Sequence, residues 1–229
     1  MEIKRNEAVS PVVGVMLMLV VTIIIAAVVS AFAGGMASGQ EKAPAASIDC
    51  NIKIDGTWGG SGFDIVVLAC DEPIPTKNLK LVTSWKASDG TVGGAEITGP
   101  TVPHTAHYND NASTYSVPLG FGPGIEDWRA SGSYSPNQHY GNYTLVAGTR
   151  MHNSPYGWSA EFGGYGVSST TRYTYTDGEK FVKSRDRDAM MVILGDEWDK
   201  LRSGDVVSVK LVHIPTGSVI FSDKVVVEG

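Results

Sequence analysis

The sequence predicts a mainly β protein in which a long hydrophobic α-helix precedes an all-β sandwich head of the immunoglobulin-like type. Three observations predict this fold class. Residues 11–33 contain no charged side chain. Later segments alternate apolar and polar residues as half-buried strands do, and the last two, 206–214 and 219–227, are joined by a Pro-Thr-Gly-Ser turn. We expect four regions: a leader at 1–8, a helix at 9–38, a linker at 39–46 and a head at 47–229.

The apolar stretch from Pro11 to Ala33 has the length and composition of a membrane helix. As an α-helix it measures about 34 Å, which exceeds the roughly 30 Å thickness of a hydrocarbon core. Its thirteen Val, Ile, Leu and Phe side chains together favour insertion by about 4–8 kcal/mol. The alternative is a buried core helix of a soluble domain, but a helix that is apolar on all sides has no face for solvent. We therefore expect this segment to enter a lipid bilayer.

The residues around this stretch leave its processing open. An ordinary secretory signal would be cut after the small residue Ala33, but such signals have an apolar region of only about 7–15 residues after a net positive charge. Here Glu2 and Glu7 offset Lys4 and Arg5. The remaining fates are an uncleaved anchor and removal of the leader alone.

The residues from Glu7 to Val15, Glu-Ala-Val-Ser-Pro-Val-Val-Gly-Val, resemble the class III signal region of archaeal type IV pilins. The resemblance implies that Glu7 and Ala8 direct cleavage by a membrane prepilin peptidase, and that Val9 becomes the first mature residue. It also implies insertion with the leader cytoplasmic and the head outside, followed by polymerisation on a pilus assembly platform. The segment 204–227 is similar to the closing hairpin of such pilins.

One position departs from the bacterial relatives of this family. These relatives usually carry a glutamate at the fifth mature position, and this chain has Val13 there. An assembly mechanism that depends on that carboxylate is therefore not implied for this chain.

Small residues within the predicted helix indicate where neighbouring helices can approach closely. Extraction from lipid loses the insertion energy, so the helix then needs another apolar environment, which copies of the same helix in a filament core supply. The alternative is that small residues are simply common in membrane helices. The candidate assembly residues are Pro11, Gly14, Ala26, Ala27 and Ser30.

The predicted function is that of a structural subunit of a type IV pilus-like surface filament, with a membrane precursor and a role in adhesion or surface attachment. The formal net charge of −6 and the lack of a Lys/Arg-rich run argue against nucleic acid. The alternative is a monomeric membrane-anchored surface protein whose β-domain binds glycans or another protein, because aromatic residues occur throughout 108–175. Packing in the core is the other interpretation of the aromatic residues, and we apply it to Trp58, Trp85, Trp158 and Trp198.

Strands are expected in the head wherever apolar and polar residues alternate, or where an apolar run is bounded by turn residues. Residues 100–166, rich in Gly, Ser, Asn, Tyr and Pro, are instead expected to form long surface loops. Residues 189–194 are a buried apolar run, and 196–202 are one or two helical turns, acidic first and basic last. The expected strands are 47–55, 63–70, 79–87, 91–98, 143–147, 158–162, 206–214 and 219–227, with a further hairpin at 173–182.

The cysteines and sequons predict covalent features of an exported head. Cys50 and Cys70 are the two cysteines of the chain, and outside the cytoplasm we expect them to form a disulfide worth about 3 kcal/mol. The alternative is a pair of buried free thiols. Asn111 and Asn142 each begin an Asn-X-Ser/Thr acceptor sequon, so we expect a glycan on at least one of them.

The sequence contains no convincing arrangement for catalysis. His104 and His107 lie three residues apart, but no carboxylate stands at a spacing suited to a shared metal. Asp186 and Asp188 flank Arg187, an alternation more typical of a solvated loop than of a cation site. No nucleophile-elbow or phosphate-binding glycine pattern is present. We therefore expect no enzyme activity, no cofactor and no metal.

Overall fold

The computed structural model describes residues 11–37, 42–99, 105–106, 115–125, 136–155, 166–176 and 187–229. The chain divides into two units, Met1–Lys42 and Ala43–Gly229. The first unit contains a long helix and the second contains the β-sheets. The predicted fold class, a helix followed by a mainly β head, is therefore confirmed.

The helix α1 runs from Pro11 to Ala37 and has 27 residues, within the region 9–38 predicted from the sequence. It has no acidic residue in its first turn and no basic residue in its last turn. The hydroxyl of Thr22 donates to the carbonyl oxygen of Leu19 at 2.9 Å, which satisfies this polar group within the helix. Counting only residues whose side chains the structure describes, no helix is long and apolar enough to cross a membrane.

The strands of the head are numbered β1 to β14 in chain order. They are β1 Ala46–Ile54, β2 Ser61–Cys70, β3 Ile74–Pro75, β4 Leu79–Lys86, β5 Val92–Thr98, β6 Thr105–Ala106, β7 Tyr115–Ser116, β8 Leu119–Phe121, β9 Thr144–Leu145, β10 Arg150–Asn153, β11 Gly166–Val167, β12 Tyr175–Thr176, β13 Val206–His213 and β14 Ser218–Val226. A second helix, α2, spans Ala189–Leu194. The 3-10 turns are Thr76–Asn78, Pro136–Gln138 and Trp198–Lys200.

Two four-stranded antiparallel sheets form the body of the head, with strand orders β1-β2-β10-β8 and β14-β13-β4-β5. Alternate side chains of these strands are buried, as in β13, where Val207, Val209 and Leu211 are inside and Lys210 is outside. The inner residues of both sheets belong to one hydrophobic cluster, which is the arrangement of a β-sandwich. Short strands pair separately as β3-β9, β6-β7 and β11-β12.

The end of the chain joins the two sheets along the β1 and β14 side. Beyond β14, Glu228 forms a parallel bridge with Lys53 of β1. The amide of Ile54 donates to the carbonyl of Glu228 at 2.7 Å, and the amide of Glu228 donates to Ile52 at 2.9 Å. These bonds satisfy backbone groups that would otherwise form an open edge.

The six main predicted strands, from 47–55 to 219–227, are confirmed with boundaries that differ by at most about two residues. The predicted strand at 143–147 corresponds to the shorter β9, and the predicted strand at 158–162 lies outside the described residues. The predicted helical turns at 196–202 contain the 3-10 turn Trp198–Lys200. Of the predicted hairpin at 173–182, only residues 173–176 are described, and β12 within them pairs with β11.

The prediction that residues 100–166 form long surface loops rather than part of a packed core is wrong for several of the described residues. Strands β8 and β10 from this region complete the first sheet, and the region supplies buried side chains to the core. Outside the predicted strand at 143–147, these residues stand between polar, proline or glycine neighbours, so no alternating run reveals them. The buried residues are Val117, Leu119, Tyr140, Tyr143, Leu145 and Met151.

Candidate functional site

The apolar surface of α1 is the most unusual feature of the described chain. Thirteen large apolar side chains from Val12 to Val29 are between 44% and 71% exposed. They point in all directions around the helix, and every described side chain of α1 is exposed. A helix of this kind has no polar side to present to water, so it needs an apolar partner outside the described chain.

The candidate assembly residues Gly14, Ala26, Ala27 and Ser30 are all exposed on α1. A Cβ built on Gly14 would meet no other heavy atom within 4 Å. Ala26 and Ser30 are four residues apart and therefore lie on the same face of the helix, with Ala27 beside them. These small residues leave a shallow surface on which another helix could approach. Pro11 is the first residue of α1, and its side chain lies outside the described set.

The predicted processing residues Glu7, Ala8 and Val9 also lie outside the described residues. Their assignment continues to depend on the sequence pattern.

The predicted disulfide between Cys50 and Cys70 is not formed, and both thiols are free. In the register of the first sheet, Cys50 stands opposite Ile65, whereas Cys70 stands opposite Ala46. Ile65 and Cys70 are five residues apart on β2, so Cys50 and Cys70 are separated by about 17 Å along the strand direction. A disulfide requires Cα atoms within about 7 Å, so the sheet would have to be broken to form one.

The environment of Cys50 favours its neutral thiol. Burial raises the pKa of this thiol to about 12, and the carboxylates of Asp223, Asp49 and Asp64 add to the effect. The fraction of reactive thiolate at neutral pH is therefore very small. Sequence reasoning missed this outcome because two cysteines on neighbouring strands give no information about register.

The sequon at Asn142 lies at the surface of the head. Asn142 is exposed, and its side-chain amide donates to the carbonyl oxygen of Pro136 at 2.8 Å. A glycosylated asparagine keeps one N–H on this nitrogen, so the bond is compatible with modification. A cavity of about 400 Å³ lies beside it, and its lining residues are Pro123, Gly124, Asn137, Asn142, Tyr143, Thr144 and Val146. Asn111 lies outside the described residues.

Asp188 contradicts the interpretation of residues 186–188 as a solvated loop. Its side chain is completely buried and caps α2, because Oδ1 accepts from the amides of Met190 at 2.7 Å and Met191 at 2.9 Å. The hydroxyl of Tyr175 donates to Oδ2, and Nε1 of Trp198 donates to that hydroxyl at 2.6 Å. Asp188 is therefore a structural residue rather than a cation ligand.

The remaining metal candidates find no support in the described part of the chain. His104, His107 and Asp186 are not described, and the described residues contain no group of three or more His, Cys, Asp or Glu that could hold a metal ion. Nδ1 of His213 lies 3.0 Å from Oγ1 of Thr216, so this histidine is hydrogen-bonded within its hairpin.

Two of the four tryptophans interpreted as core residues are buried. Trp85 and Trp198 are 6% and 1% exposed, and Nε1 of Trp85 donates to the carbonyl of Leu194 at 2.7 Å. Trp58 is partly buried against the core, and Trp158 is not described. The buried tryptophans are thus unavailable for stacking on sugars.

A polar cluster occupies the outward side of the first sheet. The carboxylate of Asp64 lies 2.9 Å from Nδ1 of His152 and accepts from Nε of Arg150 at 2.6 Å. Partial burial raises the pKa of Asp64, but the hydrogen bonds and charges of His152 and Arg150 outweigh this effect, and the pKa is lowered. The three side chains satisfy one another, which is the arrangement of a structural ion-pair cluster.

Comparison with known proteins identifies the N-terminal part of the chain. Residues 7–48 match the model of the archaeal type IV pilin N-terminal family. The match extends from Glu7 through α1 and the linker to the first residues of β1, so the predicted family resemblance is confirmed for this segment. No curated protein matches the chain. Proteins of this family are structural rather than enzymatic, and the match suggests a pilin subunit.

Proposed function

We propose that the chain is the structural subunit of an archaeal type IV pilus-like surface filament. The observation that carries the proposal is α1, an exposed apolar helix inside a segment that matches the pilin N-terminal family. The β-sandwich head that follows has its own hydrophobic core. A separate helix and a self-contained head are the two parts that such a subunit requires.

The energetics of α1 favour burial among copies of itself. Burying a Val, Leu or Ile side chain completely stabilises by about 1.5–3 kcal/mol relative to water. Thirteen such side chains that are about half exposed therefore represent on the order of 10–20 kcal/mol of gross stabilisation. Lipid provides this burial in the membrane precursor. In the filament, neighbouring helices provide it, and Gly14, Ala26, Ala27 and Ser30 allow those helices to approach closely.

Processing and location follow the same proposal. A prepilin peptidase cleaves between Ala8 and Val9, directed in part by Glu7, and an assembly platform then polymerises the mature chain. The head faces outward, where it carries glycans on Asn111 or Asn142 and contributes to adhesion. The membrane is the location of the precursor, and the cell surface is the location of the filament.

Mass spectrometry of the mature N-terminus tests the processing step. A chain that begins at Val9 supports the proposal. A chain that begins at Gly34 indicates a secreted head, and one that retains Met1 indicates a plain anchor. The last result favours the alternative function, a monomeric surface protein whose head binds glycans or another protein.

Electron microscopy of variants tests the helix packing. Because Gly14 has no neighbour in the described chain, Gly14→Leu leaves the head folded but removes a point of close approach between helices. We expect Gly14→Leu and Ala27→Leu to abolish filaments, whereas Ile24→Leu, which keeps size and hydropathy, leaves them intact. Unchanged filaments in both of the first two variants would contradict the packing role.

A further inference from the structure

The outward side of the sheet β14-β13-β4-β5 concentrates positive charge. Strand alternation exposes Lys210 on β13, Lys224 on β14 and Lys86 on β4. On the same side, Nζ of Lys80 forms an ion pair with Oε2 of Glu96 at 3.3 Å. The four lysines and one glutamate give this surface, which we name the lysine face, a formal net charge of +3.

Three lysines of this face have no acidic partner within the described part of the chain. Lys86, Lys210 and Lys224 form none of the ion pairs found there. Lys210 stands opposite Ser222, and Lys224 stands opposite Ser208, so the two ammonium groups are diagonal neighbours on a flat sheet. Their mutual repulsion is relieved when a carboxylate approaches from outside.

Exposed valines lie among these lysines. In the cross-strand row at one end of the face, Val226 stands opposite Val206, Val206 opposite Lys86, and Lys86 opposite Val92. The three valines are 55%, 43% and 68% exposed respectively. Exposed apolar side chains rimmed by polar residues mark a surface at which a protein can dock. The outward positions of these four fully described strands include no aromatic ring, so the face lacks the stacking surface that sugars use.

The remainder of the chain has the complementary charge. The whole chain carries −6, so subtracting the +3 of the lysine face leaves −9 for all other residues. A second copy of the chain therefore carries a net negative charge outside its own lysine face. Contact between two different surfaces of identical molecules is heterologous, and repeated contacts of this kind build open helical assemblies rather than closed dimers.

We propose that the lysine face docks onto carboxylates of the head of a neighbouring copy, and so forms a second contact in the assembly besides α1. This inference deepens the proposed filament function and depends on it. The lysine–carboxylate pairs set the register of neighbouring heads, and the exposed valines add apolar burial at the contact. The interaction is electrostatic in large part, so it weakens at high salt.

Zero-length cross-linking of assembled filaments tests this contact. Filaments are grown from a mixture of unlabelled and ¹⁵N-labelled full-length chains, treated with a carbodiimide that joins lysine to carboxylate, and mapped by mass spectrometry. We expect mixed-label peptides in which Lys86, Lys210 or Lys224 is joined to an acidic residue of another copy. These peptides should be lost in about 1 M salt, where the screening length is about 3 Å.

Charge-reversal variants test whether the lysines of the face themselves make the contact. Lys210→Glu combined with Lys224→Glu should remove the mixed-label cross-links of this face and disperse the filaments at a lower salt concentration than wild type. The control combines Lys53→Glu with Lys77→Glu, which reverse two exposed lysines outside the face, change the net charge by the same amount and should lower neither readout.

Two results would overturn the inference. The first is that, in intact filaments, the lysines of the face are joined only to carboxylates of their own copy. The second is that inorganic polyphosphate binds intact filaments through these lysines, which means that the face is open. If no filaments form in microscopy, the proposed function fails separately. The same cross-linking on detergent-solubilised chains then decides the lysine face, because an absence of mixed-label pairs there rejects it.

Discussion

Replacement of Asp188 by alanine should destabilise the head by about 1.5–5 kcal/mol. The carboxylate caps α2 through two backbone amides, each within 2.9 Å, and loss of an N-cap costs about 0.5–2 kcal/mol. Alanine also leaves the hydroxyl of Tyr175 without its buried acceptor, which adds about 1–3 kcal/mol. Domains of this size are stable by only about 5–15 kcal/mol, so the loss is a large fraction of the total.

Urea unfolding followed by tryptophan fluorescence measures this effect in the full-length chain in detergent. All five tryptophans follow residue 57, so the signal reports the head alone. Asp188→Asn is the matched control, because an amide oxygen can still cap α2, and we expect it to cost less than about 2 kcal/mol. A loss below about 1 kcal/mol for Asp188→Ala, or equal losses for both variants, would refute the capping argument.

The difference in stability between wild type and Asp188→Asn should depend on pH. Burial raises the pKa of Asp188, and the hydrogen bonds from Tyr175, Met191 and Met190 only partly oppose this effect. A carboxyl group whose folded pKa is above its unfolded value stabilises fully below the unfolded pKa and loses that contribution as pH rises through the folded pKa. The stability of wild type relative to Asp188→Asn should therefore fall as pH rises above about 4. A difference independent of pH would contradict this assignment.

Three further predictions concern the head. Partial burial raises the pKa of Asp64, but His152 and Arg150 outweigh this effect and lower it. The stability that the ionised Asp64 contributes is therefore present above about pH 4 and is lost in acid. Arg150→Gln should make the stability of the head, followed by tryptophan fluorescence, fall less on acidification. Gly94 has φ +147°, and a Cβ there would lie 2.2 Å from the carbonyl oxygen of Thr83. Gly94→Ala should therefore lower the free energy of unfolding in urea by about 2–4 kcal/mol. The control Gly204→Ala, at φ +92° with open space around the Cβ, should lower it by about 1 kcal/mol. Both cysteines are free, so a reductant should leave the melting temperature unchanged, and a shift of several degrees would reveal a disulfide.

The sequence predicts those parts of the fold that depend on short-range pattern. An uncharged apolar run is sufficient to predict α1, because a helix that is hydrophobic on all sides is recognised from composition alone. Alternation similarly predicts β1, β4 and β13, since each strand has one buried face. The turn at Pro215–Ser218 needs only the local preference of Pro and Gly.

Features that depend on register or on isolated residues could not be predicted in the same way. The levels of Cys50 and Cys70 follow from the pairing of β1 with β2, which a sequence window does not contain. In the sequence, Asp188 is one of two acidic residues that flank Arg187. Only the fold shows that its carboxylate accepts hydrogen bonds from two backbone amides of α2. Strand β10 has a single inward apolar residue, Met151, beside Asn153, so it lacks the periodic signal by which strands are recognised.

The lysine face is a candidate site that likewise could not be predicted from the sequence. Its lysines come from β4, β13 and β14, and more than a hundred residues separate Lys86 from Lys210, so no sequence window contains a basic cluster. Only the strand order β14-β13-β4-β5 brings them together. The argument against polyanions based on the lack of a Lys/Arg-rich run is therefore insufficient by itself. What favours a second copy is the difference in sign between this face and the rest of the chain, and the mixed-label cross-links measure that preference directly.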